Sequence, residues 1–176
     1  MAVSNETKKY WDERLSQHYD LIGVGDISLT MNYNRWSYKV TKHRLQSLFK
    51  KYVPEKPGSV LDIGSGTGFV IDIWQGFNKK INGIDISATA IKNLAIKYPA
   101  HSFYEVDAGS QELPIADSSL QAVSASSVLY HVVEDEALDK LLQSVHRVLE
   151  PGGCFIFSDN FIHGINLNIT HQKCRT

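Results

Sequence analysis

The sequence predicts one α/β unit, a parallel sheet flanked by helices and preceded by a helical cap. Three observations point to it. Beyond Ser59, short apolar runs alternate with helical periods. The first of these runs ends in a turn carrying three alternating glycines, Gly64, Gly66 and Gly68, after which a helical period begins. Over 176 residues, 43% are hydrophobic and 21% charged, which excludes a disordered, collagen-like or coiled-coil chain.

Residues 1–57 read as the cap. Ser4-Asn5-Glu6-Thr7 offers an N-cap for a helix running towards Ser16. A Gly-containing loop, Ile22 to Asn34, leads to a second helix. Val40, Leu45, Leu48, Phe49 and Tyr52 share its apolar face, and Lys39, Lys42, Lys50 and Lys51 its wet one. Pro54 and Pro57-Gly58 punctuate the boundary with residues 58–160, the sheet-bearing unit. Its predicted strands are Val60–Ile63, Ile81–Ile84, Phe103–Val106, Leu120–Ala125 and Cys154–Ser158. Between them fall the helices Phe69–Gln75, Ala88–Lys97 and Glu134–Leu149. The last has an apolar stripe of Leu138, Leu141, Leu142, Val145, Val148 and Leu149, and Pro151-Gly152-Gly153 is expected to stop it. Residues 161–176 read as a tail without strong periodicity.

Charge and composition narrow the partners. A formal net charge of −1 with no basic tract argues against a nucleic-acid or anionic-membrane surface. Two cysteines, Cys154 and Cys174, are too few for a disulfide scaffold, and no apolar run is long enough to span a bilayer. With no signal-like start, a cytoplasmic chain is expected. His18, His43, His101, His146, His163 and His171 show no paired ligand spacing with the cysteines, so no metal is expected.

The most informative stretch is Val60-Leu61-Asp62-Ile63-Gly64-Ser65-Gly66-Thr67-Gly68-Phe69. Glycines that adopt positive φ and carry no side chain let the backbone approach a nucleotide closely. A dinucleotide fingerprint, G-x-G-x-x-G, would place its third glycine at position 69, where Phe69 stands. The pattern is instead G-x-G-x-G preceded by Asp62, which resembles motif I of the class I S-adenosylmethionine-dependent methyltransferases. The difference has a physical basis. A diphosphate wants free N–H groups and no anion nearby, whereas a sulfonium cofactor tolerates or favours a carboxylate.

The resemblance continues in order over residues 58–160. Ile81-Asn82-Gly83-Ile84-Asp85-Ile86-Ser87 places Asp85 to accept the ribose hydroxyls and Ile86 to pack on the adenine. NAD-binding folds use an acid similarly, so Asp85 by itself leaves that alternative open. Phe103-Tyr104-Glu105-Val106-Asp107-Ala108 matches the adenine-binding position: Asp107 for the exocyclic amine, the Ala108 N–H for a ring nitrogen. Alternatively, Asp107 caps the following turn. Leu120 to Val132, with Ser126 at the strand end, is similar to the fourth motif, and Leu149 to Phe157 to the turn into strand five.

The resemblance implies a Rossmann-like doubly wound parallel sheet of order 3-2-1-4-5. It also implies that the cofactor is S-adenosylmethionine, with S-adenosylhomocysteine as product and a small-molecule methyl acceptor. The implied cofactor-binding residues are Asp62, Gly64, Ser65, Gly66, Gly68, Asp85, Ile86, Asp107, Ala108 and Ser126. His131 is the candidate general base for a hydroxyl acceptor, or a residue that only packs. Tyr10, Trp11, Tyr33, Arg35, Trp36 and Tyr130 are the candidates to line the substrate side and lid. A complete class I domain closes with a hairpin of strands six and seven. Only 17 residues follow Asp159, so that hairpin is expected to be missing, strand five to be an exposed edge, and self-association through it to be a possibility. Two other functions stay open: a catalytically silent nucleotide-binding or scaffold module of the same fold, and an NAD-linked oxidoreductase.

Overall fold

A computed structural model describes residues 2–159. Three helices come first: α1 (Ala2–Gln17), the short α2 (Leu21–Val24) and α3 (Met31–Tyr52). There follow β1 (Gly58–Ile63), α4 (Phe69–Trp74), a 3-10 turn at Gln75–Phe77, β2 (Lys79–Asp85), α5 (Ala88–Lys97) and β3 (Ser102–Glu105). The order closes with β4 (Leu120–Ser126), a second 3-10 turn at Leu129–His131, α6 (Asp135–Val148) and β5 (Leu149–Ser158).

The described strands form one sheet of order β3-β2-β1-β4-β5, with every pairing parallel. This is the doubly wound order that the resemblance implied. β1 is central, and its run Val60-Leu61-Asp62-Ile63 is buried because helices cover both faces. Val60 joins Phe49 of α3, Trp74 of α4 and Leu94 of α5 on one side. Its alternate neighbours, Leu61 and Ile63, meet Leu141, Val145 and Val148 of α6 on the other. Phe49 stacks on Trp74 at 3.7 Å, with the rings 11° from parallel, and so ties α3 to the sheet layer.

Several local expectations are corrected. Helix α1 already runs from Ala2, so Ser4 to Thr7 lie within it rather than before it. The stretch read as a loop contains α2, capped by Asp20, whose Oδ1 accepts the Ile22 and Gly23 N–H groups at 2.8 and 3.3 Å. Helix α3 starts at Met31, where Thr30 Oγ1 accepts the Tyr33 N–H. Tyr52 and Leu142, placed on apolar stripes, are exposed because each lies at the margin of its buried face. Pro151-Gly152-Gly153 does not precede the last strand but sits within it. Gly152 takes φ +84°, and the β4–β5 register shifts between Leu120 and Ala122, so the triplet is absorbed as a bulge.

β3 and β5 are the outer strands of the described sheet, and Phe157 on β5 is half exposed. Residues 161–176, with His163, His171 and Cys174, lie outside the described residues. No helix among the described residues is long and apolar enough to cross a membrane.

Candidate active site

A cavity of about 210 Å³ opens at the carboxyl ends of β1, β2 and β4 and the segment after β3. That edge is where open α/β sheets bind ligands. Of the residues singled out in the sequence, Trp11, Gly64, Ser65, Gly66, Asp85, Ile86, Asp107, Ala108, Ser126 and His131 line it.

The glycine loop owes its shape to backbone that other residues rarely adopt. Gly64, Gly66 and Gly68 have φ of +69°, +49° and +91°. A Cβ on Gly64 would stand 2.2 Å from Val128 Cγ2, and one on Gly68 would stand 2.7 Å from Tyr98 Oη. Gly64 and Ser65 donate their N–H groups to Ile84 O, which fixes the loop to the end of β2. Gly66 donates to Asp85 Oδ2 at 2.8 Å, while Ser87 N–H reaches Asp85 Oδ1 at 2.9 Å. Burial pushes the Asp85 carboxyl above its ordinary range, and these two N–H bonds oppose that rise.

Asp62 and Gly68 lie beneath the loop rather than on the cavity wall. Asp62 Oδ1 accepts the Ser124 hydroxyl at 2.6 Å, and Ser124 Oγ in turn accepts the Trp74 indole N–H at 3.0 Å. The second carboxyl oxygen of Asp62 is buried with no hydrogen-bond partner among the described residues, and burial pushes this group up to about 7. Gly68 is the N-terminal boundary of α4, packed under Tyr98.

Asp107 does what the alternative reading described while also facing the cavity. Its Oδ1 accepts the Gly109 N–H at 3.1 Å, and its Oδ2 accepts the Ser110 hydroxyl at 2.7 Å. A carboxylate oxygen has more than one lone pair, so capping the turn and facing the cavity are compatible. Ser127, just past β4, is a non-glycine residue held at φ +59° on the wall.

The cap supplies the opposite side. Thr7 and Trp11 come from one face of α1, and Ser37, Tyr38 and Thr41 from α3, joined by Val24 of α2. Trp11 meets the His131 ring edge-on at 5.5 Å, and Tyr38 meets Phe69 at 4.7 Å. Burial lowers His131 to about 4, with the Arg14 charge acting in the same direction. Arg14 itself stands over the Tyr10 and Trp11 rings and donates to Tyr10 Oη, Ile22 O and Gly25 O.

Five predicted lid residues do not reach the wall. Tyr10 is engaged by Arg14, and Tyr130 packs 4.0 Å from His131. Tyr33 and Trp36 pair with each other at 5.9 Å and are 49% and 60% exposed. Trp36 is turned about 100° from Ser37 on the helix, and Tyr33 lies a turn short of the cavity. Arg35 is exposed as well. Thr7, Ser37 and Thr41 were not anticipated. The i, i+4 spacings of Thr7 with Trp11 and of Ser37 with Thr41 are visible in the sequence, but hydroxyl residues on a polar helix carry no signal of direction. Among the described residues, no group of three or more His, Cys, Asp or Glu could hold a metal ion.

The loop and its acids sit at the carboxyl edge of a doubly wound sheet, and comparison with known proteins makes the class specific. The model of the methyltransferase domain family matches residues 61–157, more than half of the chain, and the chain belongs to that family. A ubiquinone/menaquinone biosynthesis C-methyltransferase of Campylobacter jejuni is 34% identical over 128 residues, covering 69% of this chain and 50% of its own. A malonyl-[acyl-carrier protein] O-methyltransferase of Pseudescherichia vulneris is 28% identical, over 63% of this chain and 42% of its own. The chain thus spans about half the length of the curated relatives it matches. Among solved structures, a DhpI complex with SAM and HEP covers 92% of this chain and 67% of its own at TM-score 0.67 and 22% identity, a likeness of fold. The [4+2]-cyclase SpnF covers 75% of this chain and 51% of its own at TM-score 0.60 and 25% identity.

Proposed function

We propose that this chain binds S-adenosylmethionine along the glycine loop and transfers its methyl group to a small-molecule acceptor entering from the cap side. The observation that carries this reading is the bond from Gly66 N–H to Asp85 Oδ2. A diphosphate needs the loop's N–H groups free and no anion beside them, whereas here a carboxylate already takes the central one. A cofactor bearing a sulfonium and an ammonium suits the same acids, and an Asp85 oxygen with a remaining lone pair can accept ribose hydroxyls.

When bound, the sulfonium supplies an electrophilic methyl carbon, so the chain's own work is orientation and exclusion of water. Gly64, Ser65 and Gly66 shape the loop, Ile86 offers an apolar face to the adenine, and Asp107 and Ala108 face its polar edge. Trp11, Tyr38 and Phe69 enclose the side towards the cap, where ring faces stabilise a cation and keep water out. His131, neutral at pH 7, serves as a hydrogen-bond acceptor that positions an acceptor hydroxyl rather than as a strong base.

One relative is named as a C-methyltransferase of ubiquinone/menaquinone biosynthesis and another as a malonyl-[acyl-carrier protein] O-methyltransferase, which supports methyl transfer but not one acceptor class. Among the described residues, Asp85 and Asp107 are the charged side chains on the wall, and no Lys or Arg joins them. A buried anion without a cationic partner is costly, which favours an uncharged acceptor over a free carboxylate.

Calorimetric titration with S-adenosylmethionine, S-adenosylhomocysteine and NAD, followed by methyl release across neutral and anionic acceptors, tests the proposal. Binding of the first two ligands alone, with turnover on neutral acceptors, is the expected result. Cofactor binding without turnover on any acceptor would make the chain a binding module, and NAD binding alone would overturn the reading.

A further inference from the structure

We propose that the cap is coupled to the cofactor loop through Asp12 and Tyr19, two positioning residues that hold the Gly66–Asp85–Ser87 bridge from both ends. The proposal rests on the reading of the cavity as an S-adenosylmethionine site and concerns how that site is kept in shape.

The hydrogen bonds form a nearly closed circuit. The Tyr19 hydroxyl donates to Gly66 O at 3.1 Å, with Ala90 O a second acceptor at 3.4 Å. Gly66 N–H donates to one Asp85 oxygen and Ser87 N–H to the other. Ser87 Oγ then donates to Asp12 Oδ1 at 2.6 Å, and the same Asp12 oxygen accepts the Thr89 N–H at 3.2 Å. Asp12 belongs to α1, and Tyr19 follows that helix by two residues. One short segment therefore grips the carbonyl of the central loop glycine and the residue that caps α5. Neither side chain lines the cavity.

The geometry has an energetic consequence. Gly66 has positive φ, and the peptides on its two sides are each fixed, the preceding one through its N–H to Asp85 and the following one through its C=O to Tyr19. Releasing Tyr19 leaves the loop glycine held to its surroundings through the N–H bond. Helix α1 presents no broad apolar face, and Leu15 is the one buried residue among those described on it. Its attachment therefore depends on these polar bonds, on the Lys8–Glu105 ion pair and on the Trp11–His131 contact. If docking of α1 favours the loop conformation that binds the nucleotide, the nucleotide favours docking of α1 by the same factor.

The test compares the unaltered chain with Asp12→Ala, Asp12→Asn and Tyr19→Phe by two readouts. The first is S-adenosylhomocysteine affinity. The second is amide hydrogen exchange at Gly66 and Ser87 without ligand, with Leu141 of α6 as internal control. Asp12→Ala and Tyr19→Phe are each expected to weaken binding roughly fivefold to tenfold, in line with loss of one or two hydrogen bonds. Both are expected to speed exchange at Gly66 and Ser87 while leaving Leu141 unchanged. Asp12→Asn, which keeps an acceptor oxygen, is expected to restore most of both. In the unaltered chain, ligand is expected to slow exchange along α1. A purely structural role would alter melting without selective change at the two loop amides.

Unaltered affinity and loop exchange in folded Asp12→Ala and Tyr19→Phe chains would overturn the coupling while leaving the cofactor reading intact. Should Asp12→Ala fail to fold, Tyr19→Phe, which removes one oxygen, decides between the same two outcomes. Failure of the unaltered chain to bind S-adenosylhomocysteine would refute the cofactor reading, whereas faster loop exchange in the variants would still support the link between α1 and the loop.

Discussion

The Ser124 hydroxyl donates to Asp62 Oδ1 at 2.6 Å, directly beneath the glycine loop and between two central strands. Among the described residues, the other carboxyl oxygen has no hydrogen-bond partner. Burial holds the group up to about 7 despite that bond to Ser124, against an ordinary value of about 4 in an unfolded chain. Between these values the folded chain keeps a proton that the unfolded chain has lost. Stability then falls as pH rises through that window, and the deficit is fully present above pH 7. Asp62→Asn removes this contribution. Urea unfolding at pH 5 and pH 8 should show the variant gaining on the unaltered chain at the higher pH, and an equal difference at both would contradict the assignment.

Asp85 bears both on the loop and on the proposed ribose contact. Asp85→Ala removes the acceptor for the Gly66 and Ser87 N–H groups as well as for ligand hydroxyls. Binding of S-adenosylhomocysteine is expected to weaken by about 1–3 kcal/mol, the range for losing hydrogen bonds to a charged group. Calorimetry checks this, and an unchanged affinity would move the ribose elsewhere.

His131 was a candidate base because an exposed imidazole titrates near neutrality. Its burial against Trp11 instead lowers it to about 4. The ring is thus neutral throughout the range in which activity would be measured. The pH profile of kcat/KM is expected to show no inflection near 6.5 attributable to this residue. His131→Gln, which keeps a hydrogen-bonding end, is expected to retain kcat within about tenfold, because a weak base contributes little to proton transfer. A rising limb near 6.5 that disappears in the variant would restore the base role. The same shift has a stability signature of opposite sign to that of Asp62: the unfolded chain takes up a proton between about 6.5 and 4, so stability is lost as pH falls through that range.

At the opposite end of β2 from Asp85, the Lys79 ammonium donates to Pro54 O, Lys56 O and Gln121 Oε1, each at 2.6 Å. It ties the segment between α3 and β1 to the sheet. Lys79→Met leaves one buried acceptor, Gln121 Oε1, and two partly exposed carbonyls without that donor, and is expected to cost roughly 1–3 kcal/mol in urea unfolding. Cofactor affinity should stay near that of the unaltered chain. A loss below about 0.5 kcal/mol would mean that water replaces the ammonium.

The sheet was legible because its inner strands β1, β2 and β4 are buried on both faces, so they stand out as apolar runs between helical periods, and the glycine turn marks the strand that leads into the site. The cap was legible as helices but not as a surface. Helix α1 is polar along most of its length, and what orients it is a set of long-range bonds such as Asp12 to Ser87, which no local pattern announces. Aromatic character alone pointed equally to Trp11 and Trp36, yet one lines the cavity and the other faces outward. Pro151-Gly152-Gly153 was ambiguous for a different reason, since the residues that end a helix also make a bulge. Asp107 likewise serves in two capacities, as a turn cap and as a wall residue, and its spacing could not separate them.

The most direct test of the cofactor assignment is a crystal structure grown with S-adenosylhomocysteine and NAD together. The predicted result is S-adenosylhomocysteine in the cavity, its ribose hydroxyls on Asp85 and its sulfur turned towards Trp11 and His131. NAD laid across the glycine loop, or a cavity filled by the chain's own side chains, would contradict it.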